Sequence, residues 1–222
     1  MPITTGASSL TDDVKNDSKN NKASVRRRSK GEKTEEKILL ATIDVLAING
    51  IKGTTHRAIA AQAELQLSLT TYYFKDIQEL VQQAFTLNCQ NTSTASHHLF
   101  ASAFSLIESY EKRELRKVSV KEGLCDKLTE IIGLQLFNRV TKQSTPLLVE
   151  QFLFSETKVT TDLLPLTQKH KQALLLPYEQ FCQYFNKVDP ELDAQILFSF
   201  VTQLQHQLLI EGAKNNSDEF FA

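Results

Sequence analysis

The stretch "GIKGTTHRAIAAQAELQLSLTTYYFKDIQEL", residues 50–80, decides how this chain is interpreted. Thr54 and Thr55 are candidate helix caps, and the residues after them have the spacing of a short amphipathic helix. A tight turn is expected around Glu64. The alternation that follows is compatible with a strand, but the helical patterns on both sides leave room only for a short helix. Asp76 then caps a longer helix. The stretch therefore predicts two short helices joined by a tight turn.

The residues before this stretch predict a first helix and a polar tail. Residues 32–50 carry apolar side chains at helical spacing and end at Asn49-Gly50, a suitable C-cap because glycine tolerates the left-handed conformation. Residues 1–31 contain almost nothing to bury, so we expect a disordered tail. Residues 15–31 hold seven Lys and Arg against one Asp, a balance of +6 that includes Arg26, Arg27 and Arg28. A basic arm on phosphates and a solubilising tail remain open alternatives.

Composition limits the class of protein. The chain has 222 residues, 41% of them hydrophobic, a formal net charge of -1, and few Gly and Pro, which favours long helices. Its three cysteines are widely separated and lack CxxC spacing, which is typical of reduced thiols. No apolar run is long enough for a membrane span and the N-terminus resembles no export signal. We therefore expect a cytoplasmic protein with no membrane partner.

The rest of the chain is predicted to be helical almost throughout. Apolar-periodic runs fill residues 97–213, and a helix over residues 76–90 is expected to link them to the N-terminal unit. Thr145-Pro146 and Asp189-Pro190 each place a capping side chain before a proline, which marks a helix start. The fold class is therefore all-α, with a helix-turn-helix unit at 32–80, a larger helical domain at 81–214 and a frayed end at 215–222.

The second short helix is suited to DNA. A helix fills the major groove of B-DNA, where Ser and Thr can donate or accept hydrogen bonds and Tyr hydroxyls can reach phosphates. Arg57, on the preceding helix, can reach a phosphate or a guanine edge. The structural alternatives are a core cluster of tyrosines and a solvated surface arginine.

The same residues resemble the DNA-binding segment of TetR-family transcriptional regulators, which are bacterial. The matching features are Gly50 followed by Thr54-Thr55, Ile59-Ala60, the run from Thr70 to Phe74, and Leu80. The resemblance covers about residues 34–86 and implies an N-terminal helix-turn-helix domain with a larger ligand-binding and dimerising domain behind it. Three positions depart from the family pattern: Glu64 replaces the usual turn glycine, Thr71 replaces a tyrosine, and Ile77 replaces a lysine.

Carried over residue by residue, the resemblance implies a set of DNA contacts. Leu67 has two interpretations, because its spacing from Phe74 favours the core and the family pattern favours the groove. Phe74, Leu65 and Thr70 are expected to pack inward. The expected contacts with bases or phosphates are Thr55, Arg57, Leu67, Ser68, Leu69, Thr71, Tyr72, Tyr73 and Lys75, with Arg26, Arg27 and Arg28 from the tail.

The resemblance also implies a homodimer, formed by the last two long helices at about 166–187 and 190–213, and an unidentified small-molecule effector. Aromatic side chains of the C-terminal domain are candidates for its pocket, and simple core packing is the alternative. These candidates are Phe104, Phe137, Phe152 and Phe181.

The function expected on this basis is a ligand-responsive repressor that binds a near-palindromic operator. An enzyme and a protein-interaction adaptor are the other classes of function. No catalytic motif, cofactor loop or metal-ligand spacing is present in the sequence, which disfavours an enzyme, a cofactor or a metal site. An all-helical adaptor or antagonist that uses the same fold without binding DNA is the remaining alternative.

Overall fold

The structure is a computed structural model. It describes residues 12–111, 113–156 and 161–211, with side chains described from residue 31 onward. Eight α-helices and two short 3-10 turns make up these residues, and no strand occurs among them. The helices are α1 (Asp12–Gly53), α2 (His56–Gln62), α3 (Leu67–Tyr73), α4 (Ile77–Glu108), α5 (Val118–Lys142), α6 (Ser144–Glu156), α7 (Leu164–Cys182) and α8 (Pro190–Glu211).

The N-terminal unit packs α1, α2, α3 and the first turn of α4 around one core. Ile38 and Val45 from α1 meet Ile59 from α2, Phe74 at the end of α3 and Leu80 in α4. Regular helix stops within α1 at Gly50, whose φ of 64° is left-handed. The predicted C-cap at Asn49-Gly50 therefore has the geometry that favours glycine.

The larger unit is built along α4, which contacts α1, α5, α6 and α7. Near its N-terminal end, Phe85 packs with Leu46 of α1 and with Val149 and Leu153 of α6. Farther along, Phe100 packs with Tyr178 of α7 and Ala194 of α8. One helix therefore passes from the core of the N-terminal unit to the core of the C-terminal unit. No helix in the described ranges is long and apolar enough to cross a membrane.

The N-terminal tail differs from the expectation of disorder. The structure continues α1 back to Asp12, whereas the sequence predicts a disordered segment through residue 31. Neither Pro nor Gly occurs in residues 12–30, so this stretch contains neither of the two residue types that disfavour a helix most. The prediction of disorder is based on the near absence of apolar residues in this segment, and that composition alone does not prevent a helix. Residues 1–11 and 215–222 lie outside the described residues.

The linking helix is longer than predicted. It does not end near residue 90 but runs to Glu108, so the expected domain boundary between residues 80 and 81 lies inside α4. The intervening "NTSTAS" at residues 91–96 is polar and lies between the predicted linking helix and the apolar runs that begin at residue 97. Thr92 is buried there, and its hydroxyl donates to the Asn88 carbonyl at 3.0 Å. Because the helix backbone itself satisfies this hydroxyl, the polar segment continues the helix.

The last three helices begin close to the predicted starts. Pro190 begins α8, and the Asp189 carboxylate accepts a hydrogen bond from the Leu192 amide at 3.0 Å, as the cap predicts. The α6 helix begins at Ser144, one residue before the predicted Thr145 cap. The α7 helix spans Leu164–Cys182 with Pro177 inside it, and therefore ends earlier than the predicted residue 187.

Candidate nucleic-acid interface

The start of α2 is fixed by a side-chain cap. The Thr55 hydroxyl accepts a hydrogen bond from the Ala58 amide at 3.2 Å, and the Thr55 backbone is extended, as an N-cap requires. Thr54, the other candidate cap, is buried and donates its hydroxyl to the Gly50 carbonyl at 2.8 Å. Arg57 follows on the exposed side of α2. Thr55 and Arg57 therefore both lie on the surface at the N-terminal end of this helix.

The turn between α2 and α3 is a Schellman motif closed by an unusual residue. The Leu65 amide donates to the Ala60 carbonyl at 2.9 Å, and the Glu64 amide donates to the Ala61 carbonyl at 3.1 Å. Glu64 has a φ of 50°, and it is the one non-glycine with a left-handed φ among the described residues. The departure from glycine noted in the sequence thus falls on the position where a Cβ is costly.

The inner face of α3 anchors it to the core. Thr70 is fully buried, and its hydroxyl donates to the Leu67 carbonyl at 2.8 Å. Phe74 is buried in the core of the N-terminal unit, and Leu65 packs against the same cluster. These three residues are the ones that the resemblance implied would pack inward.

The outer face of α3 is polar and exposed. Ser68, Thr71 and Tyr72 are all exposed, and Tyr72 keeps 75% of its surface open. Because the buried residues lie on the opposite side, this face is free to enter a groove without disturbing the core.

The two leucines of α3 differ in their surroundings. Leu67 is 44% exposed and is absent from the core clusters, whereas Leu69 is half-buried. The exposure of Leu67 favours the groove-facing interpretation over the core interpretation. An exposed leucine on such a face is suited to contact with a thymine methyl group.

The aromatic pair at the end of α3 braces the helix. The rings of Tyr72 and Tyr73 meet edge to face, with centroids 5.3 Å apart, and Tyr73 packs against the core of the N-terminal unit. A Cβ on Gly31 would lie 3.6 Å from the Tyr73 hydroxyl oxygen, so α1 passes close to this tyrosine. Lys75 is exposed beside it, and Asp76 caps α4 by accepting from the Gln78 amide at 2.9 Å.

The hydroxyl of Thr71 has a defined role in hydrogen bonding. Its oxygen lies 3.3 Å from the Leu67 carbonyl and 3.2 Å from the Ser68 carbonyl, so its proton is donated within the helix. Its lone pairs and methyl group remain available on the exposed face. Thr71 is therefore suited to accept from a base amino group and to contact a thymine methyl.

One further residue joins this surface. Of the predicted contacts, Arg26, Arg27 and Arg28 have side chains that lie outside the described residues. Gln66, which the sequence analysis did not single out, is exposed immediately before α3 and makes no capping hydrogen bond with its side chain. A glutamine amide can form two hydrogen bonds with adenine in the major groove. In the sequence, only the residue type of Gln66 could have indicated this role.

A candidate effector cavity lies in the C-terminal unit, between α4, α5, α7 and α8. Its lining includes Phe100, Arg139, Tyr178 and Gln205. Burial raises the pKa of Tyr178 to about 12, an effect that Arg139 opposes and Glu150 adds to. Arg139 and Gln205 carried no signal that separated them from ordinary polar positions in the sequence.

None of the four predicted pocket residues is among those that line this cavity. Phe104 lines a separate, more superficial groove beside Tyr184. Phe152 packs against the cluster around Phe85, and Phe181 packs between the core clusters of the C-terminal unit. Phe137 is half-buried on α5, one position past Leu136, which lines the cavity.

A buried polar pair joins α6 to α7. The His170 Nε2 and Glu150 Oε2 atoms are 2.9 Å apart, and the Ser93 hydroxyl of α4 lies 3.4 Å from His170 Nδ1. Phe154 stacks on the His170 ring. Among the described residues, no group of His, Cys, Asp and Glu is placed to hold a metal ion.

Comparison with solved structures assigns the fold. A protein from Mesorhizobium loti, assigned to the TetR family of transcriptional regulators, matches with a TM-score of 0.58 at 16% identity over 86% of this chain and 90% of its own. This chain has the TetR-family fold. A protein from Streptomyces coelicolor A3(2) classed as a transcriptional regulator matches with a TM-score of 0.55 at 21% identity, over 79% of this chain and 87% of its own.

The transcriptional regulator FadR from Bacillus subtilis, solved in complex with stearoyl-CoA, matches this TetR-like chain with a TM-score of 0.56 at 14% identity. The match covers 81% of this chain and 89% of FadR. No protein-family profile matches the sequence, and no curated protein matches it either.

Proposed function

We propose that this protein is a DNA-binding transcriptional regulator, a ligand-responsive repressor that binds a near-palindromic operator as a homodimer. The observation that carries the proposal is the division of α3 into two faces. Thr70 and Phe74 are buried on one side, whereas Ser68, Thr71 and Tyr72 are exposed on the other. An exposed face of small hydroxyls and tyrosine on a helix held firmly by its other face suits major-groove recognition.

The surroundings of α3 are suited to the DNA backbone. Thr55 and Arg57 lie on the surface of α2, and Lys75 lies at the C-terminal end of α3. These groups flank the recognition face with the donors and positive charge that phosphates require. Phosphate contacts would fix the orientation of α3, while the α3 side chains and Gln66 would supply the sequence preference.

An exposed apolar stripe supports the homodimer. Leu192, Ile196 and Phe200 follow one another at four-residue spacing along α8 and are 52%, 60% and 61% exposed. Leu176 on the neighbouring α7 is 46% exposed. A second copy of the same two helices would cover this stripe in a four-helix arrangement. A dimer would also place two recognition helices about one DNA turn apart.

The proposed response to an effector runs through α4. This helix lines the candidate cavity with Phe100 and contributes Leu80 to the core beneath the recognition helix. FadR was solved with stearoyl-CoA, and the multidrug binding protein EbrR, a neighbour with a TM-score of 0.52 at 17% identity, was solved with imidazole. Small-molecule binding by neighbours of this fold supports an effector site in this chain as well.

The proposal is tested first by locating the operator. Genomic footprinting with the full chain should yield a near-palindromic site, and binding to it should weaken steeply as salt rises, because phosphate neutralisation releases counterions. Arg57→Ala should weaken binding to all sequences and lower the salt slope by about one. Arg116→Ala, which removes an exposed arginine remote from α3, is the control.

Sequence preference is tested separately at Thr71. Thr71→Ala should change the relative affinity for single-base operator variants at one position, by about 1–3 kcal/mol for a direct base contact. Thr94→Ala is the matched control, because the Thr94 hydroxyl is also exposed and donates to its own helix, to the Gln90 carbonyl at 2.9 Å. If the protein binds no DNA at low salt, the adaptor alternative is favoured. If Thr71→Ala and Thr94→Ala behave alike, the groove assignment of Thr71 is wrong.

A further inference from the structure

The cavity between α4, α5, α7 and α8 has an apolar wall and a polar corner. Six of its lining residues are apolar: Leu99, Phe100, Ile132, Leu136, Leu197 and Val201. The remaining three are Arg139, Tyr178 and Gln205, which come from three different helices. An apolar pocket with a few convergent polar groups is the usual form of a small-molecule site.

The three polar groups have no hydrogen-bond or ion-pair partner among the described residues. Gln205 and Tyr178 are both only 7% exposed, and Arg139 is half-buried. Their polar atoms are not fully enclosed, since His56 Nδ1 is the one enclosed side-chain atom without a partner in the described residues. The three groups therefore open onto the cavity with their hydrogen-bonding capacity available to a ligand.

We propose that this cavity binds an apolar molecule with a single carboxylate head group. The carboxylate would pair with the Arg139 guanidinium and accept hydrogen bonds from the Tyr178 hydroxyl and the Gln205 amide, while its apolar body packs against Phe100 and the aliphatic wall. The proposal rests on the proposed function, since it names the chemical class of the effector. A guanidinium fork matches a carboxylate in two parallel hydrogen bonds, which an alcohol or an amine cannot make.

The charges around the cavity agree with an anion rather than a cation. Arg139 is the one charged residue in the lining. The acid that acts on Tyr178 is Glu150, and its carboxylate is already held 2.9 Å from His170. A tyrosine hydroxyl is protonated at neutral pH, and burial raises the pKa of Tyr178 further, to about 12, so this hydroxyl can donate to a ligand. A cationic ligand would meet only repulsion at Arg139.

The size of the cavity shows how binding would act on the fold. Its volume is about 30 Å³, enough for one water molecule and too small for an organic acid. A ligand must therefore displace part of the lining. Leu99 and Phe100 belong to α4, and Leu197 and Val201 belong to α8, the proposed dimer helix. Expansion of the cavity thus moves the two helices that set the position of the DNA-binding units.

The test compares head groups on one apolar body. Binding of octanoate, octanol and octylamine to the full chain is measured by calorimetry without DNA, and 2-naphthoate, 2-naphthylmethanol and 2-naphthylmethylamine form a second, aromatic series. In at least one series the carboxylate should bind about tenfold more tightly than the alcohol or the amine, as a charge-assisted pair requires. Arg139→Gln should abolish this preference, and Tyr178→Phe should reduce it with the ring packing retained.

Lys142→Gln is the matched control, because it removes an exposed positive charge from the same helix one turn away. It should leave the carboxylate preference unchanged. The proposal is overturned if no carboxylate binds, if the alcohol or amine binds equally well, or if Arg139→Gln behaves like Lys142→Gln. Since no DNA is present, carboxylate binding by a chain that fails to bind any operator would refute the proposed function and leave this site assigned.

Discussion

Replacement of Glu64 by glycine is expected to stabilise the protein. Glu64 occupies the left-handed position of the turn between α2 and α3, with a φ of 50°. Its Cβ costs about 1–2 kcal/mol in that conformation. Glycine removes this cost. It also lowers the free energy of unfolding by about 0.4–1 kcal/mol, because its backbone has more conformational entropy in the unfolded chain. We therefore expect the free energy of unfolding to rise by about 0.5–1 kcal/mol and Tm by about 1–4 °C.

The assay separates backbone strain from charge. Glu64→Gln removes the negative charge but keeps the Cβ, so it should leave the free energy of unfolding close to that of the parent. Both variants remove one negative charge near the proposed DNA surface, so both should raise DNA affinity alike. Stability is measured by urea unfolding followed by circular dichroism, since the chain contains no tryptophan.

Hydrogen exchange gives a local measure of the same effect. The Leu65 amide donates to the Ala60 carbonyl at 2.9 Å and should exchange more slowly in Glu64→Gly, because that bond closes the motif. Unchanged or faster exchange at Leu65, together with unchanged unfolding, would refute the claim that this turn is strained. Equal stabilisation by Glu64→Gln would instead assign the effect to charge.

Three further changes probe the C-terminal unit. Phe200→Glu should place a charge in the proposed dimer stripe and give a monomer in sedimentation, whereas Ile48→Glu, at an exposed isoleucine of α1, should leave the association state unchanged. Iodoacetamide at pH 8 should label exposed Cys125 in the folded chain but not Cys89, whose pKa burial raises to about 12, and mass spectrometry would count the labels. His170→Ala should lower the free energy of unfolding by about 3 kcal/mol in urea titrations, since it leaves a buried carboxylate unpaired.

The N-terminal unit could be predicted from the sequence because its signals are local. Each helix end in this unit depends only on residues within about one helical turn of it. The N-caps at Thr55 and Asp76 and the helix end at Gly50 each have the expected geometry. The departure at Glu64 was visible for the same reason, since the turn permits few backbone conformations. The orientation of Leu67 could not be predicted, because its spacing from Phe74 favoured the core whereas the family pattern favoured the groove, and only the packing of α3 distinguishes the two.

The cavity proposed for the effector could not be predicted from the sequence, because its lining residues are distant from one another along the chain. Arg139, Tyr178 and Gln205 lie on three helices, and nothing near each residue distinguishes it from a surface arginine or an ordinary helical glutamine. The aromatic candidates chosen from the sequence were large apolar residues, which serve core packing equally well. The extent of α4 was missed for a related reason, since at residues 91–96 the threonine hydroxyls are satisfied by carbonyls of the helix itself, both at buried Thr92 and at exposed Thr94.

The position of α6 adds a physical connection that α4 alone does not provide. Val149 and Leu153 of α6 pack against Leu46 of α1, inside the N-terminal unit, while Glu150 on the same helix pairs with His170 of α7. Tyr178, at the polar corner of the cavity, lies two turns farther along α7. A shift of α7 on cavity expansion would break a buried pair unless α6 moved with it. Because α6 also packs on α1, which contributes Ile38 and Val45 to the helix-turn-helix core, the proposed movement would reach that core from a second side.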